Sequence, residues 1–438
     1  MSLFFIFVLI IFFLLFVFLL NKNLLWGLIL ISAFLPSYLI RYTIFGLPTT
    51  VLEGMVLLTF VAWVIKHGAQ WGGVTKNFLK RQALSYPFNR WFWAIILFLA
   101  ASILAVYTSP NHLAALGIWR AYFLEPILFF SVFISTVKTR EEMLKIIWAL
   151  VLGAIPATLL ALAQEFTGWL IPNPFWQNWA TRRVTSFWGY PNAVSLFFAP
   201  LLPFVVYLFE HTWRKTKGLF WQDLFYSLIF FLFFLDIIFA RSMGGLTAVA
   251  GTLLIFGLVF RRTRKITLII VIIAGCLAFL TPLKNSLQEE FFLQGVSGNL
   301  RVNMWGETVE MLRSRPILGA GLAAYQSAVA PYHILNWAEI YLYPHDIFLN
   351  FWSEVGLPGL IAFLWLVLLF GRAGWRLLKV RQGDDLWLVE TLLASMSIIL
   401  IQGLVDVPYF KNDLAIFFWI LMGLMALNFK FSSQYAHS

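Results

Sequence analysis

The chain has 438 residues, of which 61% are hydrophobic and only 12% are charged. Soluble domains carry about 25% charged residues, and no hydrophilic stretch here is long enough for a separate soluble domain, so the composition predicts a polytopic membrane protein. The net charge of +11 does not indicate nucleic-acid binding, because the basic residues form short clusters between apolar runs, as orientation signals do. The single cysteine, Cys276, excludes an intrachain disulfide.

Apolar runs long enough to cross a bilayer as helices recur along the whole chain. The first, from Leu3 to Leu20, lacks a basic leader and a small-residue cleavage site, so we predict a retained helix rather than a signal peptide. We predict an all-α, polytopic transmembrane bundle of twelve or thirteen spans, the count being open because Pro36 and Pro48 interrupt early runs. The candidate spans are 3–20, 23–40, 47–65, 91–107, 113–136, 143–165, 191–209, 223–240, 244–260, 266–282, 345–370, 387–406 and 412–428.

Basic clusters fall in alternate connections between these spans, and the side they share is predicted to be cytoplasmic. The segments 166–190 and 283–344 then lie outside, and the second is a large extracytoplasmic loop predicted to contain short helices. The N-terminus is internal with twelve spans and external with thirteen. One integrated membrane domain is expected, with N-terminal spans in 1–282, the loop in 283–344 and C-terminal spans in 345–438. The clusters lie at 66–90, 138–140, 214–217, 261–265, 372–381 and 430.

The first outside loop, WLIPNPFWQNWATRRVTSFWGYPNAV, carries adjacent Arg182 and Arg183. Arginine is scarce outside, so two readings stay open, a pair of lipid-headgroup contacts and an anion site. Guanidinium groups bind phosphate oxygens through a bidentate fork, and the surrounding aromatic rings would bind a polyprenyl chain or stack on sugars. Pro191 and Asn192 then begin the next helix.

The second outside feature is the tight turn FARSMGG, in which Arg241 lies at the membrane edge. A charge at that depth is costly unless it is used or reaches the interface. Asp236 lies five residues earlier, so a structural Asp–Arg pair is the alternative to a ligand-binding arginine.

The third outside feature begins at Asn299, a plausible N-cap, and is predicted to be an amphipathic helix on the membrane surface. Arg301 is placed on its first turn, and Pro316 is expected to stop it. Its apolar positions have helical spacing and are Val302, Trp305, Val309 and Leu312.

His345 stands at the start of a span, after the large loop. His112 and His333 are also predicted to lie outside, but only His345 is expected beside the membrane and within reach of several arginines. A neutral imidazole accepts a proton near physiological pH, so His345 is the candidate general base, with a structural histidine as the alternative. No metal-ligand motif or phosphate-binding glycine loop occurs, and neither a metal nor another cofactor is expected.

Four motifs in order resemble the O-antigen ligase and polymerase family of bacterial membrane glycosyltransferases. They are RRVTSFWGYPN, ARSMGG, RVNMWGETVEMLRSRPILGAG and PHDIFLNFWSEVGLPG. The resemblance covers roughly Trp169 to Gly359 by motif. It implies metal-independent, inverting transfer of a glycan from a polyprenyl (undecaprenyl) diphosphate carrier to an acceptor hydroxyl, on the extracytoplasmic face of the bacterial inner membrane.

The resemblance also implies residue roles. His345 would be catalytic, and Arg183, Arg241 and Arg301 would bind the diphosphate. Arg241 departs from the family's pattern because arginine precedes the serine in this turn, and the family's His-Asn is His345-Asp346 here. Further residues are candidates for supporting roles, namely Arg182, Asn192, Trp305, Asp346 and Glu354.

Other functions remain open at this stage. The acceptor is a glycan, a lipid A core or a protein, so a polysaccharide polymerase and a protein O-oligosaccharyltransferase are alternatives within the family. A transporter or flippase for lipid-linked sugars is the alternative of a different class, and it would predict charges deep in several spans and an internal repeat. Membrane lipids are expected partners, and nucleic acid is not.

Overall fold

The protein is described by a computed structural model that covers residues 3–44, 46–79, 88–260, 263–271, 295–335 and 337–435. It is 80% helical, which confirms the predicted all-α class. The helices of the first half are α1 Leu3–Lys22, α2 Leu25–Ala33, α3 Val51–Leu79, α4 Phe88–Thr108, α5 His112–Trp119, α6 Glu125–Thr136, α7 Arg140–Thr167 and α8 Pro174–Gln177. Those of the second half are α9 Pro191–Phe198, α10 Leu202–Thr216, α11 Phe220–Phe239, α12 Met243–Val259, α13 Val296–Ser314, α14 Tyr325–Val329, α15 Ile347–Asn350, α16 Gly356–Val380, α17 Gly383–Gln402 and α18 Asn412–Tyr435.

Eight helical stretches within the described residues are long and apolar enough to cross a membrane. Some combine consecutive elements, as in His112–Thr136, where a π-helical turn at Arg120–Leu124 joins α5 to α6. The multi-pass character expected from composition is therefore confirmed. These stretches are Leu3–Lys22, Arg90–Thr108, His112–Thr136, Arg140–Thr167, Pro191–Thr216, Phe220–Phe239, Ile347–Val380 and Asn412–Lys430.

The remaining predicted spans have other outcomes. The prediction for 23–40 is realised as the nine-residue α2 and a 3₁₀ turn at Leu35–Leu39, because Pro36 cannot continue the helical hydrogen bonding. The prediction for 47–65 begins instead with a strand, β2 Leu47–Thr50, paired antiparallel with β1 Arg41–Ile44, before α3 starts. The span at 244–260 is the 17-residue α12. Most of the span predicted at 266–282 lies outside the described residues.

A cluster of ion pairs marks one end of the bundle. At one end Arg140 pairs with Asp385 at 2.9 Å, Arg381 pairs with Asp385 at 2.7 Å, and His211 contacts Asp384 at 3.0 Å. These groups come from three connections that were predicted to share one side. Asp384 and Asp385 begin α17, whose 20 residues span about 30 Å, so the segment after Gln402 lies at the opposite end.

The last helix forms the centre of the bundle. Its membrane-length window is 89% buried, and Trp419 lies fully buried between Phe98 and Phe130. The same apolar core extends from Phe16 to Leu427. The first and last spans therefore pack as one body.

Within the described part of the large loop, α13 packs on α14. The predicted apolar face of α13 is correct at Leu312, which is buried, and wrong at Val302 and Val309, which are exposed. Tertiary contacts select a face with buried Met304, Thr308 and Met311. The helix starts before Asn299, so that residue is not the N-cap, and Arg301 follows the first turn. It ends at Ser314, two residues before the predicted stop at Pro316.

Candidate active site

A cavity of about 510 Å³ opens at the end of the bundle opposite the ion pair of Arg140 with Asp385. Its wall combines the segment before α9, the first turns of α13, the loop before α15 and the turn between α17 and α18. Three of the four residues proposed for the chemistry line it, namely His345, Arg183 and Arg301, and so does the supporting candidate Asn192.

His345 is held at the cavity by its backbone. Its φ of 51° is rare for a residue with a side chain and is maintained only where neighbours fix it. The next residue, Asp346, caps α15 by accepting from the Leu349 N–H at 2.7 Å, and the Ile347 N–H donates to the Gly403 carbonyl at 2.7 Å. The loop histidine is thereby joined to the end of α17.

Asp406 is the partner of His345. Its Oδ1 lies 3.4 Å from Nδ1 of the imidazole and accepts from the Val407 N–H at 2.9 Å. Burial alone would raise the pKa of Asp406, but the contact with His345, the Val407 N–H and the charge of Arg301 hold that pKa below its ordinary value. An ionised aspartate against Nδ1 leaves Nε2 as the nitrogen that can accept a proton from a ligand.

Arg183 is fixed by the turn between α11 and α12. Its Nε donates to the Ala240 carbonyl at 2.8 Å, and Nη2 donates to Asn192 Oδ1 at 3.0 Å. Its remaining terminal nitrogen, Nη1, has no hydrogen-bond partner among the described residues. Burial, followed by the charges of Arg241 and Arg301, lowers the pKa of Arg183. These cations therefore lie close enough to repel one another, an arrangement that an anion relieves.

Arg301 reaches from α13 to the turn that carries Asp406. Its Nε donates to the Val405 carbonyl at 3.0 Å, and Nη1 donates to Ser297 Oγ at 2.9 Å. No residue in the described part of the chain accepts from Nη2. Arg301 and Arg183 therefore each present an unused guanidinium nitrogen at one cavity.

Lys411 lines the same cavity, and neither it nor Asp406 was predicted. Its Nζ lies 4.0 Å from the ring centre of Tyr190. Burial lowers the pKa of Lys411 to about 8, against the opposing charges of Asp413 and Asp406. The sequence signal for both residues is DVPYFKND at 406–413, a charged connection between two apolar runs.

Arg241 lies beside Arg183 without lining the cavity. Its backbone carbonyl accepts from Arg183 Nη2 at 3.4 Å, and its own side chain is exposed. Asp236, the alternative partner considered for it, accepts instead from Thr158 at 2.6 Å. A role for Arg241 in binding the diphosphate stays a prediction.

The other supporting candidates hold the surrounding structure together. Arg182 is buried and donates to the carbonyls of Glu165 and Gln177. Glu354 is buried in a π-helical turn and accepts from the backbone N–H groups of Ala323 and Tyr325. Trp305, like Asp346, lies outside the cavity lining. Direct roles for these residues in a reaction remain predictions.

This arrangement is suited to a reaction that releases an anion. Guanidinium and ammonium groups stabilise charge on a leaving group, and an imidazole oriented by a carboxylate removes a proton from a nucleophile. The cations and the His345 imidazole line one cavity, although they are distant in the sequence.

Comparison with known proteins identifies the family of this region. Residues 228–364 match the family model described as O-antigen ligase, Wzy_C, and no curated protein matches the chain. The matched segment contains the Arg241 turn, Arg301 and His345, whereas the Arg183 motif precedes it. The family consists of glycosyltransferase-like enzymes. The predicted resemblance is confirmed, and the chain carries the O-antigen ligase family domain over residues 228–364.

Proposed function

We propose that this protein transfers a glycan from a polyprenyl-diphosphate carrier to an acceptor hydroxyl at the extracytoplasmic face of the bacterial inner membrane. The observation that carries the proposal is the shared cavity, which is lined by Arg183, Arg301 and Lys411 together with the His345–Asp406 pair. The family match over 228–364 gives independent support for a glycosyltransferase.

The cations serve the leaving group. A glycosyl diphosphate loses its sugar when the bond between the anomeric carbon and the phosphate oxygen breaks, and the electron pair stays on the diphosphate. Arg183 and Arg301 would each donate a hydrogen bond to the diphosphate from an unused terminal nitrogen. Lys411 and Arg241 would add positive charge nearby. Such charge stabilisation supplies a large part of the rate enhancement in comparable reactions.

His345 serves the nucleophile. As the acceptor oxygen bonds to the anomeric carbon, its proton passes to Nε2 of His345, and Asp406 stabilises the imidazolium that results. A single displacement from the side opposite the diphosphate inverts the anomeric centre. No metal is required in this scheme, because the protein's own cations neutralise the leaving group.

The carrier lipid would leave the cavity beside Arg183. Trp176 lines the cavity, whereas the nearby Trp169, Phe175 and Trp179 are more than half exposed. Aromatic rings of this kind favour the membrane interface. The diphosphate would sit in the cavity while the polyprenyl chain leaves past these rings into the bilayer.

The acceptor distinguishes the alternatives within the family. A lipid A core, a second lipid-linked repeat or a protein hydroxyl would each present the same nucleophile to His345. The donor is the same in all three cases, and a screen of acceptors distinguishes a ligase, a polymerase and a protein O-oligosaccharyltransferase.

The test uses the purified full-length protein in nanodiscs with polyprenyl-diphosphate glycan and each acceptor class in turn. The proposal predicts release of polyprenyl diphosphate and appearance of a glycosylated acceptor in equal amounts. If the protein instead moves intact lipid-linked glycan between the leaflets of proteoliposomes and cleaves it with none of the acceptors, it is a flippase.

A further inference from the structure

A second cavity, of about 280 Å³, lies beside the first at the same end of the bundle. Its wall comes from the β-hairpin and the start of α3, from the junction of α5 with α6, and from Asn412 at the start of α18. None of its lining residues was assigned a role above. The polar and aromatic members are Tyr38, Arg41, Thr49, Thr50, Glu53, Arg120, Tyr122 and Asn412.

The two cavities share a wall. Lys411 lines the first and the next residue, Asn412, lines the second. Phe410 contacts both Tyr122 of the second cavity and Tyr343 of the first, at ring-centre distances of 6.3 and 6.2 Å. A ligand of several linked rings would cross this short wall and occupy both cavities.

Glu53 is the buried polar group at the base of the second cavity. The residue is only 4% exposed. Its Oε2 accepts from Thr49 Oγ1 at 2.8 Å, the Thr50 N–H at 2.9 Å and Arg120 Nη2 at 3.0 Å. Among the described residues, its Oε1 accepts only from Asn412 Nδ2, at a long 3.4 Å. Buried carboxylate oxygens normally accept well-formed hydrogen bonds, so Oε1 has room for a donor from a ligand.

Arg41 provides hydrogen-bond donors at the cavity. Its side chain is exposed and forms no hydrogen bond or ion pair with any residue that the structure describes. It thus offers donors where Glu53 offers an acceptor.

The cavity carries charges of both signs. Arg41, Arg120 and Glu53 line it, and Arg120 Nη2 is already paired with Glu53 Oε2 at 3.0 Å. The Glu53 carboxylate would repel an anionic ligand, and Arg41 would repel a cationic one. A neutral ligand with many hydroxyl groups satisfies both, because each hydroxyl donates one hydrogen bond and accepts others.

We infer that this second cavity is a saccharide-binding subsite that holds sugar units of the acceptor while its reactive hydroxyl lies at His345. The inference rests on the proposed function. Hydroxyl groups of the bound sugar donate to Glu53 Oε1 and accept from Arg41, and the tyrosine rings cover its apolar faces.

Two substitutions probe the subsite without disturbing the core. Arg41→Ala removes an exposed side chain. Gly117→Leu fills the cavity, since a Cβ at Gly117 would have no neighbour within 4 Å. The matched controls are Arg315→Ala, an exposed arginine outside both linings, and Gly371→Leu, a helical glycine that likewise has open space around its Cβ.

The experiment measures binding of a lipid-free probe to the full-length protein in nanodiscs by saturation-transfer NMR. The probe is the neutral oligosaccharide released by mild acid from the surface glycan of the organism that makes this protein, and inorganic pyrophosphate is the comparison ligand. Wild-type protein and His345→Ala should bind the probe equally. Arg41→Ala and Gly117→Leu should weaken probe binding at least tenfold, and pyrophosphate binding should stay unchanged. Both controls should behave as wild type.

Three results would overturn the subsite. The first is that wild-type protein does not bind the probe. The second is that both subsite variants bind the probe as well as wild-type protein does. The third is that Arg41→Ala loses pyrophosphate binding, which would make the cavity an anion site. Each result leaves the transferase proposal standing if glycan transfer by the wild-type protein persists. Absence of transfer with intact, Arg41-dependent probe binding would instead refute the transferase proposal alone.

Discussion

Nδ1 of His345 lies 3.4 Å from Oδ1 of Asp406, so a histidine after the large loop meets an aspartate beyond the end of α17. The contact is long for a hydrogen bond, as such contacts often are before substrate binds. In the proposed reaction, Asp406 would orient the imidazole and stabilise its protonated form.

Asp406→Asn tests that role. Glycan transfer should show a kcat lower by roughly 10²-fold with an unchanged KM for the lipid-linked donor, because an amide does not stabilise the imidazolium. Asp346→Asn is the matched control, since asparagine caps a helix as well as aspartate does and residue 346 lies outside the cavity lining. A rise in donor KM with constant kcat in Asp406→Asn would contradict a positioning role.

Arg183 and Arg301 are expected to bind the diphosphate. Replacing either by Ala should weaken binding of the donor by about 10- to 100-fold, because a hydrogen bond to a charged group contributes about 1.5–3 kcal/mol. Arg183→Lys should recover only part of the loss, since an ammonium lacks the planar fork of a guanidinium. Isothermal titration with a non-hydrolysable donor measures the affinity of each variant, and Arg315→Ala is the control. If neither alanine variant changes the affinity for the donor, the assignment is refuted.

Lys411 predicts a pH dependence of anion binding. Burial holds the pKa of its ammonium at about 8, so the group is charged below that pH and becomes neutral as pH rises through it. Affinity for inorganic pyrophosphate should therefore fall between pH 7 and pH 9 in the wild type, relative to Lys411→Arg, whose guanidinium stays charged. Parallel pH profiles for the two proteins would remove Lys411 from the anion site.

Gly153 allows α2 and α7 to approach closely. A Cβ at this position would overlap the carbonyl oxygen of Ala33 and lie 2.6 Å from its Cα, and backbone atoms cannot yield as a flexible side chain does. Gly153→Ala should destabilise the protein by about 1–3 kcal/mol, measured as a lower Tm in detergent. Gly371→Ala, with open space at its Cβ, should leave the Tm unchanged or raise it, and equal Tm values for both variants would contradict the close approach.

The sequence predicts the long helices well because apolar length is a local property, and α4, α7 and α11 match their predicted spans within a few residues. Residue type and motif also predict roles for His345, Arg183 and Arg301, which line one cavity in the structure. The sequence predicts only Leu312 of the buried face of α13, because that face depends on packing against α14 rather than on periodicity. Asp406 and Lys411 were not predicted because Asp406 is the last residue of the span predicted at 387–406 and Lys411 lies in the short connection after it.

The most direct test of the account is transfer by His345→Ala in nanodiscs, with donor binding measured on the same preparation. We predict that glycan transfer falls by about 10²- to 10⁴-fold, the usual contribution of a general base, while affinity for the lipid-linked donor remains within a few-fold of wild type. Transfer at the wild-type rate by His345→Ala would contradict the central claim that this imidazole activates the acceptor.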